Sequence, residues 1–171
     1  MHDEEPQFEL KRIAKDSVEA AIRKAERYRL LNERRAAESI CRDVLEVDPT
    51  NRKAIITMIL ALADLFRDGH ASITEARELV SRLEGDYERA YYSGLLCERL
   101  AKATFHRNAP GSGTIAYNEL REAMEWYEKA ESHRPAGNDD PLLRWNTCAR
   151  LIMQHGELHA PAQDDFQPFL E

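Results

Sequence analysis

Six histidines, three cysteines and 24 Lys and Arg are the residues in this chain of 171 whose chemistry invites a site, and their spacing decides how much of one they can make. Only His155-Gly156-Glu157-Leu158-His159 separates two imidazoles in a metal-like way. A zinc protease needs H-E-x-x-H on an unbroken helix, so that both rings face one side with a glutamate between them. Gly156 is expected to end a helix between the two rings, so the segment reads as a solvated helix terminus and no metal site is expected. Pro110-Gly111-Ser112-Gly113 lacks the Lys-Ser/Thr pair of a phosphate loop and reads as a linker. Cys41, Cys97 and Cys148 lie about fifty residues apart with no C-x-x-C, which suits neither a disulfide framework nor a zinc site; they read as small buried hydrophobes. No Ser, His and Asp arrangement is visible. The expectation is therefore a protein without catalytic residues or cofactor, and not an enzyme.

Arginine is the remaining chemical asset: 18 Arg stand against 6 Lys, and a guanidinium forks onto carboxylates in a way an ammonium does not. The chain nevertheless carries a net charge of −7, which disfavours nucleic acid as a ligand. That acidity sits at the ends. Asp3, Glu4, Glu5 and Glu9 at one end and Glu157, Asp164, Asp165 and Glu171 at the other have no Lys or Arg among them. The 24 cations between them face the remaining 23 acids, so the body from 10 to 155 is +1. An acidic arm (1–11) and an acidic tail (156–171) thus flank a near-neutral body.

The body must be helical. With 43% hydrophobic and 32% charged residues the composition is that of a globular chain, and no apolar run approaches the roughly 20 residues of a membrane span. The first ten residues, MHDEEPQFEL, are acidic where a secretion signal would be basic and apolar, so a cytoplasmic location is expected. Apolar residues recur at i, i+3, i+4 and i+7, without alternation of period 2, and nearly all internal Gly and Pro fall where this pattern pauses. About seven helices are predicted, over 12–31, 33–47, 51–67, 73–84, 86–106, 115–133 and 140–155. Ser72 or Thr74 is the expected cap of the fourth, Asp86 of the fifth and Asp139 or Asp140 of the seventh, where Pro141 falls in the first turn and needs no N–H partner.

Within these helices a spacing repeats. Ala21, Ala25, Tyr28, Ala37, Cys41, Val44 and Pro49 are 4, 3, 9, 4, 3 and 5 apart; Ala123, Tyr127, Ala130 and Pro135 repeat the second half, and Trp145, Cys148, Ala149 and Ile152 the first. Small residues at these positions let antiparallel helices approach, and the aromatic ones fill the space beside them. The chain here resembles the tetratricopeptide repeat (TPR) family. The resemblance implies an all-α, right-handed superhelix of antiparallel helix pairs, with units at about 18–51, 52–85 and 88–135, an insertion near 106–115, and a cap helix at 140–155. A plain helical bundle is the alternative architecture.

The resemblance also implies a concave groove lined by the first helix of each unit. Its residues would be Glu19, Arg23, Glu26 and Arg29, then Lys53 and Thr57, then Arg89, Tyr92, Ser93 and Arg99, and finally Asn146, Thr147 and Arg150. Six cations face two anions, which favours an acidic peptide segment of a protein partner. The clamp with which some members hold a terminal carboxylate is not reproduced, because Ile22 and Ile56 stand where polar residues would be needed. The tail, Asp164-Asp165-Phe166-Gln167-Pro168-Phe169-Leu170-Glu171, combines acids with aromatic anchors and is a candidate ligand for self-association. The alternative function is an accessory or regulatory subunit that binds nucleic acid or a small anionic ligand through an Arg-rich face.

Overall fold

The computed structural model describes residues 8–69 and 72–162. Residues 1–7 of the expected arm and 163–171 of the expected tail lie outside them. The described residues form an all-α protein of seven helices packed in sequential antiparallel pairs, with no sheet among them. They fall into two compact units that divide between Leu62 and Ala63. None of the helices is long and apolar enough to cross a membrane.

In the first unit, α1 (Val18–Leu30) follows a 3-10 turn at Lys15–Ser17, so it starts later than the predicted residue 12. Its buried residues Val18, Ile22 and Ala25 are one helical stripe, and α2 (Arg34–Val47) answers with Ala37, Cys41, Val44 and Val47. The pair closes through a turn at Asn32, whose φ of 65° is left-handed backbone that asparagine tolerates better than most residues. Val18, Ile22, Val44, Val47 and Ala54 form one core cluster, with Ile13, Ala21, Ile40 and Leu45 packed around it. The helix α3 (Arg52–Leu65) opens on Asn51, whose Oδ1 accepts from Ala54 N at 3.0 Å.

In the second unit, α4 (Ile73–Ser81) is capped by Ser72, whose Oγ accepts from Glu75 N at 3.2 Å, as one of the two predicted caps requires. It ends three residues before the predicted 84. The following helices α5 (Asp86–His106) and α6 (Ser112–Ser132) each run 21 residues and are joined by residues 107–111. Ser112 and Gly113, read above as linker, lie instead in the first turn of α6, and Ser112 is buried. Gly85, not Asp86, is the N-cap residue of α5; Asp86 supplies a first-turn negative charge. The last helix, α7 (Asp140–Gln154), has Pro141 in its first turn and no cap bond from the Asp139 side chain. Asn138 Oδ1 accepts from Asp140 N at 3.1 Å instead.

The cluster that holds α5, α6 and α7 together comprises Cys97, Ala101, Ala116, Leu120, Ala123, Met124, Tyr127, Cys148 and Leu158. Its tightest point is Gly94, the one internal glycine outside a predicted pause. A Cβ there would stand 2.8 Å from Tyr127 Cε1 and 3.2 Å from Ala123 O, so α5 can meet α6 at this distance only without a side chain. After α7 the chain turns back. Leu158 enters the cluster, His155 meets the Phe105 ring edge-on at 5.2 Å, and a Cβ on Gly113 would lie 2.2 Å from Glu157 O. This strap, residues 155–158, is fastened to the first turn of α6.

Candidate functional site

The residues expected to line a groove meet different fates. On α1, Arg23 lies 3.7 Å from Glu19 Oε1, and Lys53 of α3 donates to the same oxygen at 2.9 Å. Lys53 comes first among the causes that hold the Glu19 carboxyl below its ordinary range. Glu19 was itself a predicted groove residue, so two expected cations share one expected anion. Arg29 is half-buried on α1. Thr57, also expected in the groove, is buried, and its hydroxyl donates to Lys53 O at 2.8 Å.

On α5, Arg89 turns away from any ligand role. Its Nη1 donates to Leu83 O at 2.6 Å and Glu84 O at 2.8 Å, and its Nη2 to Asp86 Oδ1 at 2.6 Å. It thereby satisfies carbonyls left over after α4 and joins them to the start of α5. Tyr92 is half-buried and meets Tyr91 edge-on at 5.3 Å. Arg99 lies 3.8 Å from Asp64 Oδ1, and its buried Nε has no hydrogen-bond partner among the described residues. Asn146 and Arg150 are different. Both are exposed on α7, and neither side chain makes a hydrogen bond or ion pair with a described residue.

These two stand on one helical face with Leu143 and Met153, spaced 3, 4 and 3 residues apart. Leu143 is 61% exposed and Met153 83%, which leaves an apolar residue at each end of the face. From Pro141 to Gln154 the sequence holds Arg144 and Arg150 and no acid. A strip that is apolar at both ends, cationic in the middle and free of carboxylates suits a segment with apolar anchors and negative charge.

Sequence reasoning missed the strongest polar constellation. Glu98 of α5 is fully buried and accepts from Lys102 Nζ at 2.5 Å, Tyr127 Oη at 2.6 Å and Arg144 Nη1 at 3.3 Å. Burial is the largest influence on its carboxyl and pushes the pKa up. Hydrogen bonds from Lys102 and Tyr127 and the charges of Lys102 and Arg144 together outweigh it and hold the pKa below the ordinary range. The Tyr127 phenol is pushed up, first by burial and then by the Glu98 charge. One carboxylate thus ties α5 to α6 and α7, with both of its oxygens accepting hydrogen bonds from the chain. A clue was present in the sequence. Glu98 sits between Leu95 and Ala101 on the face that also carries Gly94, so its charge had to be buried with partners, of which Lys102 at i+4 is one.

Two other features have the chemistry of sites without the geometry. Burial pushes the thiols of Cys41, Cys97 and Cys148 up to about 12, so at neutral pH they are protonated. Glu119 is half-buried on α6 with one oxygen unpartnered; burial, partly offset by Thr104, raises its pKa. No group of three or more His, Cys, Asp or Glu among the described residues is placed to hold a metal ion. Comparisons of the chain with family models, curated proteins and solved structures find no match.

Proposed function

We propose that the chain is a TPR-like protein-interaction module, without catalysis, that holds an acidic peptide segment of a partner protein against the outward face of α7. The observation that carries this reading is the state of Arg150. It is exposed and makes no ion pair with a described residue, and it lies between two large exposed apolar side chains on a helix without acids past its first residue. Support for a repeat architecture comes from the recurrent 4, 3, 5 spacing and from antiparallel pairing of successive helices. Binding of nucleic acid or a small anion through an Arg-rich face has no comparable observation in its favour. Arg23, Lys53 and Arg89 are already paired with carboxylates of the chain.

The test is fluorescence anisotropy with labelled ten-residue peptides that carry two aromatic residues and three or four acids, at low ionic strength. Saturable binding is expected, weakened by Arg150→Glu and by added salt. Peptides that fail to bind, or bind Arg150→Glu equally well, would overturn the reading.

A further inference from the structure

We propose that the outward face of α7 is occupied in cis by residues 163–171 of this same chain, so that the module carries its own competitor for the partner segment. This rests on the peptide-binding reading of that face and goes beyond it by naming an occupant.

Three observations meet here. The first is complementary chemistry. Gln163 to Glu171 contains Asp164, Asp165 and Glu171 with no Lys or Arg, together with Phe166, Phe169 and Leu170, whereas the helix they would cover has no acid from Pro141 to Gln154 and, with Arg144 turned to Glu98, presents Arg150. The second is length. Leu143 and Met153 are ten residues apart on a helix, or roughly 15 Å. Phe166 and Leu170 are four residues apart, and an extended chain of that length spans about 13 Å. Phe166 can then cover Met153 while Leu170 covers Leu143, with Asp165 within reach of Arg150.

The third is the fixed origin of the segment. Leu158 is buried, and the strap that bears it lies against Gly113 so closely that even a methyl group would collide. Leu158 follows Gln154, the last residue of α7, by four positions. The described chain ends at Ala162, four residues before Phe166, so Phe166 lies within about 13 Å of that point, and the residues that follow it can run back along α7. A tether this short holds the segment at an effective concentration on the order of millimolar over the face, so weak contacts suffice.

The experiment compares methyl NMR spectra of the full chain, a chain ending at Ala162, and the full-length double variant Phe166→Ser, Phe169→Ser, whose changes lie outside the described fold. The Leu143 and Met153 methyl signals are expected to move on truncation and to move the same way in the double variant. A synthetic peptide of residues 163–171 should restore them saturably in the truncated chain, with affinity reduced roughly three- to fivefold by Arg150→Glu. Identical methyl spectra with and without the segment overturn the proposal. Shifts that vanish on dilution overturn it also, since the occupant would then be the segment of a second copy. An unrelated acidic peptide that binds the truncated chain, when truncation itself moves nothing, removes this inference and leaves the proposed function standing. Failure of both peptides removes the two together.

Discussion

Tyr127 of α6 donates a 2.6 Å hydrogen bond to Glu98 of α5, and neither side chain is exposed to solvent. The bond joins residues 29 positions apart, and Arg144, 46 positions from Glu98, adds the third helix to the same carboxylate. A buried charge of this kind favours this packing of three helices, because any other leaves it with Lys102 alone as a donor.

Glu98→Gln is therefore expected to lower stability at neutral pH by about 1–3 kcal/mol, as it removes the charge and leaves two cations and a phenol facing an amide. The pH dependence carries the sign. Folding depresses the Glu98 pKa below its ordinary 4.5, so the unfolded chain takes up this proton first as the pH falls. The stability that the charge supplies is complete above 4.5 and is lost as the pH falls through the folded value. Urea titrations at pH 7 and at decreasing pH below 4.5 should show the gap between wild type and Glu98→Gln closing in acid. A gap independent of pH would mean that the amide, not the charge, is what the site rejects.

Gly94→Ala tests the close approach that brings Tyr127 to Glu98. On an exposed helix the change would stabilise by about 1 kcal/mol. Here the new methyl would stand 2.8 Å from the Tyr127 ring, and a net loss of about 1–3 kcal/mol is expected. Gly156→Ala is the control, since nothing lies within 4 Å of its Cβ position, and its midpoint in a thermal melt should stay close to wild type.

The helical stripes were legible because their information is local: Val18, Ile22 and Ala25, or Ala37, Cys41 and Val44, announce a face by spacing alone. Ser72 and Pro141 were legible for the same reason, a cap and a first turn being decided within four residues. Ser112 and Gly113 were not. The first turn of their helix lies against Glu157, forty-four residues on, and glycine propensity speaks against a helix there. The cations failed in a similar way. The sequence presents Arg89 and Arg150 as equals, and only the fold reveals that one is committed to the carbonyls of residues 83 and 84 while the other faces solvent.

Arg89→Ala and Arg150→Glu should consequently separate stability from binding. Arg89→Ala removes two bonds to carbonyls and one to Asp86 on a partly exposed side chain, and is expected to cost about 1 kcal/mol while leaving acidic-peptide affinity unchanged. Arg150→Glu should leave the thermal midpoint in place and weaken the peptide. Measured together by thermal melt and anisotropy, the two variants should move one readout each; if Arg89→Ala weakens the peptide as strongly as Arg150→Glu, the ligand face extends to α5.

Gly113→Ala addresses the strap. A methyl group at residue 113 cannot coexist with Glu157 O 2.2 Å away, and the backbone of α6 cannot retreat without disturbing Ala116 and Leu120 behind it. The strap is the element that yields, since it is a single turn held by the Leu158 side chain, the edge-on contact of His155 with Phe105 and a bond from Leu158 N to His155 O at 3.0 Å. Release of Leu158 gives up about 2 kcal/mol of burial and exposes residues 155–162 to a protease, while α5 and α6 keep the bonds to Glu98. Limited proteolysis with mass spectrometry should therefore show cleavage between 155 and 162 in Gly113→Ala at protease levels that leave the wild type whole. Hydrogen exchange over α5 should stay near the wild-type rate, and a variant that instead loses protection along all of α5 would place the strap within the core and not upon it.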